Sequence, residues 1–187
     1  MLAVTQGFEM PAIRIWRYVA KSASYFPYDL EAPRVAALVI DAILNCRSML
    51  YVDHIGSTAV VGCGGKGIVD LLVTYPAGAL SVARDALDQL GFQPQCGPER
   101  FPDSRPMRVG AVIYRGKEYL LHAHVIRGGD REGLDLIEFR NRLRTDGDLA
   151  RAYQIEKLSI LARGITVSTE YSKAKTDFIR AVLGDCQ

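Results

Sequence analysis

The chain has 187 residues, of which 49% are hydrophobic, enough for one domain with a sizeable core and a helical appendage. Charged residues make up 24% and the net charge is +2, which argues against a disordered chain and against a strongly basic nucleic-acid module. The cysteines Cys46, Cys63, Cys96 and Cys186 show no metal-site spacing, no charged start leads into an apolar run and no window spans a bilayer, so a reduced cytoplasmic protein is expected.

Residues 1–10 carry no pattern and are expected to be loose. Over residues 12–19, Ile13, Ile15, Arg17 and Val19 alternate with Arg14, Trp16 and Tyr18, which predicts a strand. Residues 25–33 hold two prolines and two tyrosines and read as a loop, and Pro33 suits the first turn of a helix. Behind it Val35, Leu38, Val39, Ala42, Ile43 and Cys46 recur at helical spacing. Residues 50–55 predict a strand ending at Gly56, and 68–73 a second strand, apolar enough to be covered on both faces. Residues 80–90 predict a helix with Gly91 just past its end. Residues 93–106 read as a long surface loop, and 109–114 and 118–126 as a hairpin around Arg115-Gly116-Lys117. From residue 131 onward the pattern is helical, in segments 131–144, 149–162 and 168–183 separated by Gly147 and Gly164. Strands first and helices later predict an α/β or α+β fold whose mixed sheet carries a helical C-terminal part, in one domain over 1–187.

The chemistry concentrates between His54 and Val73. Gly56 and Ser57 follow a strand directly, and successive backbone N–H groups in such a turn can cradle an anion. Ser57 and Thr58 add hydroxyl donors, and Lys66, in a glycine-rich loop, supplies a cation for phosphate oxygens. Asp70, at the start of the next strand, can hold a divalent metal together with substrate phosphates. His122 and His124 lie two apart on a predicted strand and share a face. His122, His124 and Asp70 together could hold a transition metal, and an imidazole can serve as ligand or proton acceptor. Arg140 and Arg144, Tyr153 and Lys157, and Tyr171 and Lys175 repeat a four-residue spacing on helix faces that could grip phosphates or an acidic substrate. Tyr171 also falls in a stripe with Phe178, Ile179 and Val182, which reads as core.

The block His54-Ile55-Gly56-Ser57-Thr58-Ala59-Val60, leading to Lys66 and then Val69-Asp70, resembles the signature of the GrpB family. Tyr28-Asp29, Glu31 and Pro33 resemble that family's entry motif. His124-Val125, Phe139-Arg140 with Leu143-Arg144, Tyr153 with Lys157, and Tyr171 with Lys175 resemble its later motifs, in order. The resemblance implies a nucleotidyltransferase-like fold of the polymerase-beta type. In that superfamily a Gly-Ser turn precedes an Asp-x-Asp strand, and with a third carboxylate these hold two magnesium ions for nucleotidyl transfer. This chain departs from the pattern at Leu72, which occupies the second carboxylate position, so a two-metal site built from this strand alone is not expected. Val61, Cys63, Gly67, Ala32 and Asn141 are further departures.

The expected function is therefore a nucleotidyltransferase-like enzyme. Gly56, Ser57, Thr58, Lys66, Arg140 and Lys175 would bind a nucleoside triphosphate, and Asp70, His124 and Lys157 would act on a nucleotidyl or phosphoryl group passing to a small molecule. Asp70, His122 and His124 would hold a divalent metal, magnesium or a transition metal such as zinc. Two alternatives stay open: a non-catalytic nucleotide- or protein-binding, chaperone-like module, and a His/Asp metal enzyme that uses no nucleotide. No membrane or nucleic-acid partner is expected, and the oligomeric state is open.

Overall fold

A computed structural model of the chain describes residues 13–96 and 100–184. Helix α1 (Ala32–Cys46) precedes strand β1 (Tyr51–Ile55), a single 3-10 turn (Ser57–Ala59) and strand β2 (Val69–Tyr75). Helix α2 (Leu80–Gln89) and strands β3 (Gln93–Pro94), β4 (Met107–Tyr114) and β5 (Lys117–Arg127) follow. The chain then runs through helices α3 (Arg131–Thr145), α4 (Gly147–Ala162), α5 (Ser168–Ala174) and α6 (Thr176–Leu183). The strands form one five-stranded mixed sheet in the order β1-β2-β5-β4-β3, with β2 and β5 parallel and the other pairs antiparallel.

Successive strand side chains point to opposite faces, so one strand serves both core and site. From β2 and β5, Val69, Leu71, Val73, Leu121, Ala123 and Val125 face α1 and α2 and form the main core with Val35, Val39, Ile43, Ala83 and Leu87. The alternate residues Asp70, Leu72, His122 and His124 lie on the opposite face. There α3 covers part of the sheet through Ile55, Leu72 and Ile126 against Leu136 and Ile137. Asp130 precedes α3 in extended conformation, and the side chain of Asp146 caps α4 by accepting from the Leu149 N–H. The β4–β5 connection is a two-residue turn in which Arg115 and Gly116 both take positive φ, 50° and 77°, the twist a tight hairpin needs.

Several expectations need correction. The alternating stretch from residue 13 to 19 forms no regular strand; only Trp16 bridges Ala111, beside β4. Within 93–106 a two-residue strand pairs with β4, so this stretch is not wholly loop. Gly147 does not separate helices but opens α4, because Asp146 has already taken the cap. The third C-terminal helix is two, meeting at Lys175. Residues 1–10 and Cys186 lie outside the described residues; Cys46, Cys63 and Cys96 are free thiols. Among the described residues no helix is long and apolar enough to cross a membrane.

Candidate functional site

Between β1 and β2 the chain turns through Gly56 at φ 70° and ψ −172°, a conformation essentially reserved for glycine. The close approach of Asp70 adds to the requirement, since a Cβ at Gly56 would sit 2.5 Å from its Oδ2. The turn is tied down from within. Thr58 Oγ1 donates to the Ile68 carbonyl at 3.1 Å, so its remaining capacity is as acceptor, and the neutral His54 Nε2–H donates to it at 3.0 Å. Thr58 is thus a buried brace, not part of the cavity described below. Burial, with the charges of Arg144 and Arg140 against the opposing pull of Asp70, brings the His54 pKa down to about 4.

That shift has a stability consequence. Below the ordinary imidazole value of 6.5 the unfolded chain takes up a proton that the folded chain refuses until about pH 4, so stability falls as pH drops through this window. The loss is on the order of 3 kcal/mol. Urea unfolding at about pH 7 and about pH 4.5 should show His54→Gln losing that part of the acid sensitivity. An unchanged pH slope would mean that His54 is not buried neutral.

The register of the parallel pair sets Asp70 opposite His122 and Leu72 opposite His124. His122 Nδ1 lies 3.4 Å and His124 Nε2 3.8 Å from Asp70 Oδ1. One ligand atom from each residue falls within 4.8 Å of the others, an arrangement that could hold a metal ion. The far side of His122 is occupied, its Nε2 meeting the Tyr18 hydroxyl at 3.1 Å, and Phe101 stands edge-on to His124 at 5.5 Å. Burial opposes ionisation of Asp70, but hydrogen bonds and charge from both imidazoles overcome it and hold the carboxyl well below the usual carboxylate range.

On its other side Asp70 borders a small cavity of about 60 Å³, lined also by Gly56, Ser57, Lys66, Lys157, Lys175, Tyr153 and Tyr171. Three ammonium groups therefore face one carboxylate. Lys66 donates to Ser168 Oγ at 2.9 Å, and Lys157, which is 2% exposed, donates to the Gly64 carbonyl and lies 3.4 Å from Cys63 Sγ. Burial pulls all three lysine pKa values down, helped at Lys66 and Lys157 by the neighbouring Lys175; Lys66 falls to about 8. The ammonium groups of Lys66 and Lys175 lie 5.5 and 5.0 Å from the centre of the Tyr171 ring, and that of Lys157 4.4 Å from the Tyr153 ring. The Tyr171 hydroxyl is fully buried and has no hydrogen-bond partner among the described residues. A cluster of buried cations with one carboxylate beside it is costly, and an anion in the cavity relieves that cost.

Of the residues singled out from sequence, Gly56, Ser57, Lys66, Asp70, Lys157 and Lys175 line this one cavity, and His122 and His124 flank it across Asp70. Arg140 is not brought there. Its guanidinium donates to Asp53 Oδ1 and to the His54 carbonyl, both at 2.9 Å, while Arg144 donates to the Ala59 carbonyl at 2.9 Å. The two arginines clamp α3 onto β1 and the turn, and Arg140, with its guanidinium engaged by Asp53 and the His54 carbonyl, takes a positioning role away from the cavity. Leu72 is wholly buried beneath α3, so the second carboxylate position holds part of the apolar core. Sequence reasoning missed Tyr153 and Tyr171 as cavity walls; their four-residue spacing to Lys157 and Lys175 was the available signal.

The sequence model of the family described as GrpB protein matches residues 26–185. A UPF0157 protein of Streptomyces coelicolor is 31% identical over 70% of this chain and 66% of its own length. A UPF0157 protein of Pseudomonas aeruginosa is 29% identical over 84% of this chain and 65% of its own. The chain thus spans just under two thirds of the length of these relatives. Among solved structures, the conserved protein GrpB from Enterococcus faecalis superposes with a TM-score of 0.60 at 18% identity, over 86% of this chain and 99% of that one. The Cid1 poly(U) polymerase, in a crystal structure with MgGTP bound, superposes with a TM-score of 0.50 at 12% identity, over 73% of this chain and 44% of that one. Those two likenesses fix the fold as nucleotidyltransferase-like, and the family match, extending over most of the sequence, makes this chain a member of the GrpB family.

Proposed function

We propose that the cavity beside Asp70 receives the phosphate chain of a nucleoside triphosphate, with one divalent metal held by Asp70, His122 and His124, for transfer of a phosphoryl or nucleotidyl group to a small acceptor. The observation that carries this reading is the set of three lysines, Lys66, Lys157 and Lys175, around one small cavity bordered by Asp70 and the Gly56–Ser57 turn: a built place for phosphate oxygens. The donor set of one carboxylate oxygen and two imidazole nitrogens suits manganese, zinc or another transition ion better than magnesium, which prefers oxygen ligands. When bound, the metal supplies Lewis-acid polarisation of a phosphoryl oxygen.

The chain's own residues do the rest. The Gly56–Ser57 turn orients the phosphate oxygens. Lys66, Lys157 and Lys175 neutralise charge that builds on the transferred group, in a site where burial makes each cation count for more than in water. A cavity of this size holds phosphate but not a nucleoside, so base and sugar lie outside it.

Calorimetric titration with manganese, zinc and magnesium, alone and then with ATP, GTP, CTP and UTP, tests the proposal. Metal-dependent nucleotide binding is expected, with Asp70→Asn, once its thermal melt shows it folded, weakening metal binding by about a hundredfold or more. No affinity for any nucleotide up to millimolar concentration with metal present would overturn it. The burial of Leu72 favours a second reading, a nucleotide-binding module without turnover. Binding without product under single-turnover conditions would select that reading.

A further inference from the structure

We infer that the GrpB fold here carries a second ligand site: a cleft on the far side of the Ser57–Ala59 turn that takes a small organic anion, a carboxylate or phosphate attached to an apolar body. The cleft measures about 660 Å³, against about 60 Å³ for the cavity at Asp70, and the two share no lining residue. It falls within the range of roughly 300–1,000 Å³ usual for small-ligand sites.

Its chemistry is one-sided. Arg144 and Arg151 line it, and neither makes an ion pair among the described residues. No lining residue is a carboxylate. Tyr28 and His54 add no negative charge, since burial first of all pushes the phenol up and the imidazole down. Arg144 is held in place by the bond from its Nε to the Ala59 carbonyl, which leaves the rest of its planar fork for an anion. Gln154 has its oxygen engaged by the Gly64 N–H at 3.1 Å and the Tyr25 hydroxyl at 2.8 Å, so its amide nitrogen remains as a donor. The apolar part of the wall includes Val61, which is 82% exposed and so open to contact from a ligand body. Two guanidinium groups, a spare amide and an apolar wall without a carboxylate recognise an organic anion and disfavour a cation or a neutral polar molecule.

The test is amide and arginine-side-chain NMR of the full chain titrated with sodium benzoate and, separately, with phenyl phosphate; the two probes distinguish a carboxylate from a phosphate source. Shifts are expected at Val61, Gly62 and the Arg144 and Arg151 Nε–H groups with at least one probe. Arg151→Glu, at an exposed position that should not disturb folding, is expected to weaken binding roughly tenfold or more. Absence of shifts at these positions with both probes, or unchanged binding in Arg151→Glu, would overturn the inference. Shifts confined to Ser57, Lys66 and Lys175 would also overturn it, while agreeing with the phosphate cavity. Benzoate carries no phosphate, so the cleft can fail while the nucleotide reading stands, and the reverse.

Discussion

Gly56→Ala is expected to weaken the proposed metal binding at Asp70 sharply while lowering the melting temperature only moderately. Two effects act at this position. The backbone angles of Gly56, φ 70° and ψ −172°, cost a non-glycine residue about 1–3 kcal/mol. In a chain of this length that amounts to a fall of roughly 2–12 °C. The second effect is local and more damaging. The new methyl group would stand 2.5 Å from Asp70 Oδ2 and 3.2 Å from Asp70 Cγ, so the carboxylate must rotate away. That rotation carries it off His122 and His124, which hold it at 3.4 and 3.8 Å, and out of the arrangement that would hold an ion. Metal affinity is expected to fall by about a hundredfold or more, as for loss of a ligand. Gly62→Ala is the matching control. Gly62 also has positive φ, 76°, but nothing lies within 4 Å of the place its Cβ would take. It should lose stability and keep metal binding. Calorimetric titration beside thermal melts checks both variants. Equal metal affinity in Gly56→Ala and the parent would mean that Asp70 is not poised as described.

What the sequence made legible follows how local each signal is. The Gly56–Ser57 turn, the strand carrying Asp70 and the alternation that puts His122 and His124 on one face are all encoded within a few residues. The register that sets Asp70 against His122 then brings them together across the sheet. Arg140 was misjudged because its partner, Asp53, lies 87 residues away and nothing in the helix pattern announces it. Tyr171 was misjudged for the converse reason. Its spacing to Phe178, Ile179 and Val182 suggests one stripe, but the helix breaks between α5 and α6: Tyr171, 1% exposed, packs with Ala23 and Ile160, while Phe178 packs beside Tyr153 and α6 buries no residue fully. The stretch from residue 13 to 19 has a strand's alternation and lacks a strand's partners: only Trp16 bridges Ala111, beside a sheet whose edge at β3 is two residues long.

Restoring the missing carboxylate is the second large effect, and it should fail. Leu72→Asp writes the Asp-x-Asp pattern back into β2, yet the environment of Leu72 is not that of a ligand. Its side chain is fully buried among Ile55, Ile126, Leu136 and Ile137, and α3 passes so close at Gly133 that an added Cβ there would lie 3.8 Å from it. Removing the leucine alone costs about 2–5 kcal/mol in such a place. Burying a carboxyl group there adds several kcal/mol more, because His124, in register on β5, already faces Asp70, and Asp53 in register on β1 and Asp70 two residues along supply like charge. The sum is comparable with the whole stability of a domain, about 5–15 kcal/mol. Leu72→Asp is therefore expected to be largely unfolded or insoluble and to gain no second metal. Leu72→Asn should be nearly as damaging, which separates polarity from charge, while Leu72→Met should cost less than about 1.5 kcal/mol. Urea unfolding of the three variants beside metal stoichiometry decides it. A folded Leu72→Asp binding two ions would show that the apolar lock under α3 is not what limits this site. If the lock holds, a two-metal site cannot be recovered at this position without moving α3. On the proposed reading, the helix that Arg140 clamps to β1 is then what would limit this site to one metal and leave phosphate charge to the three lysines.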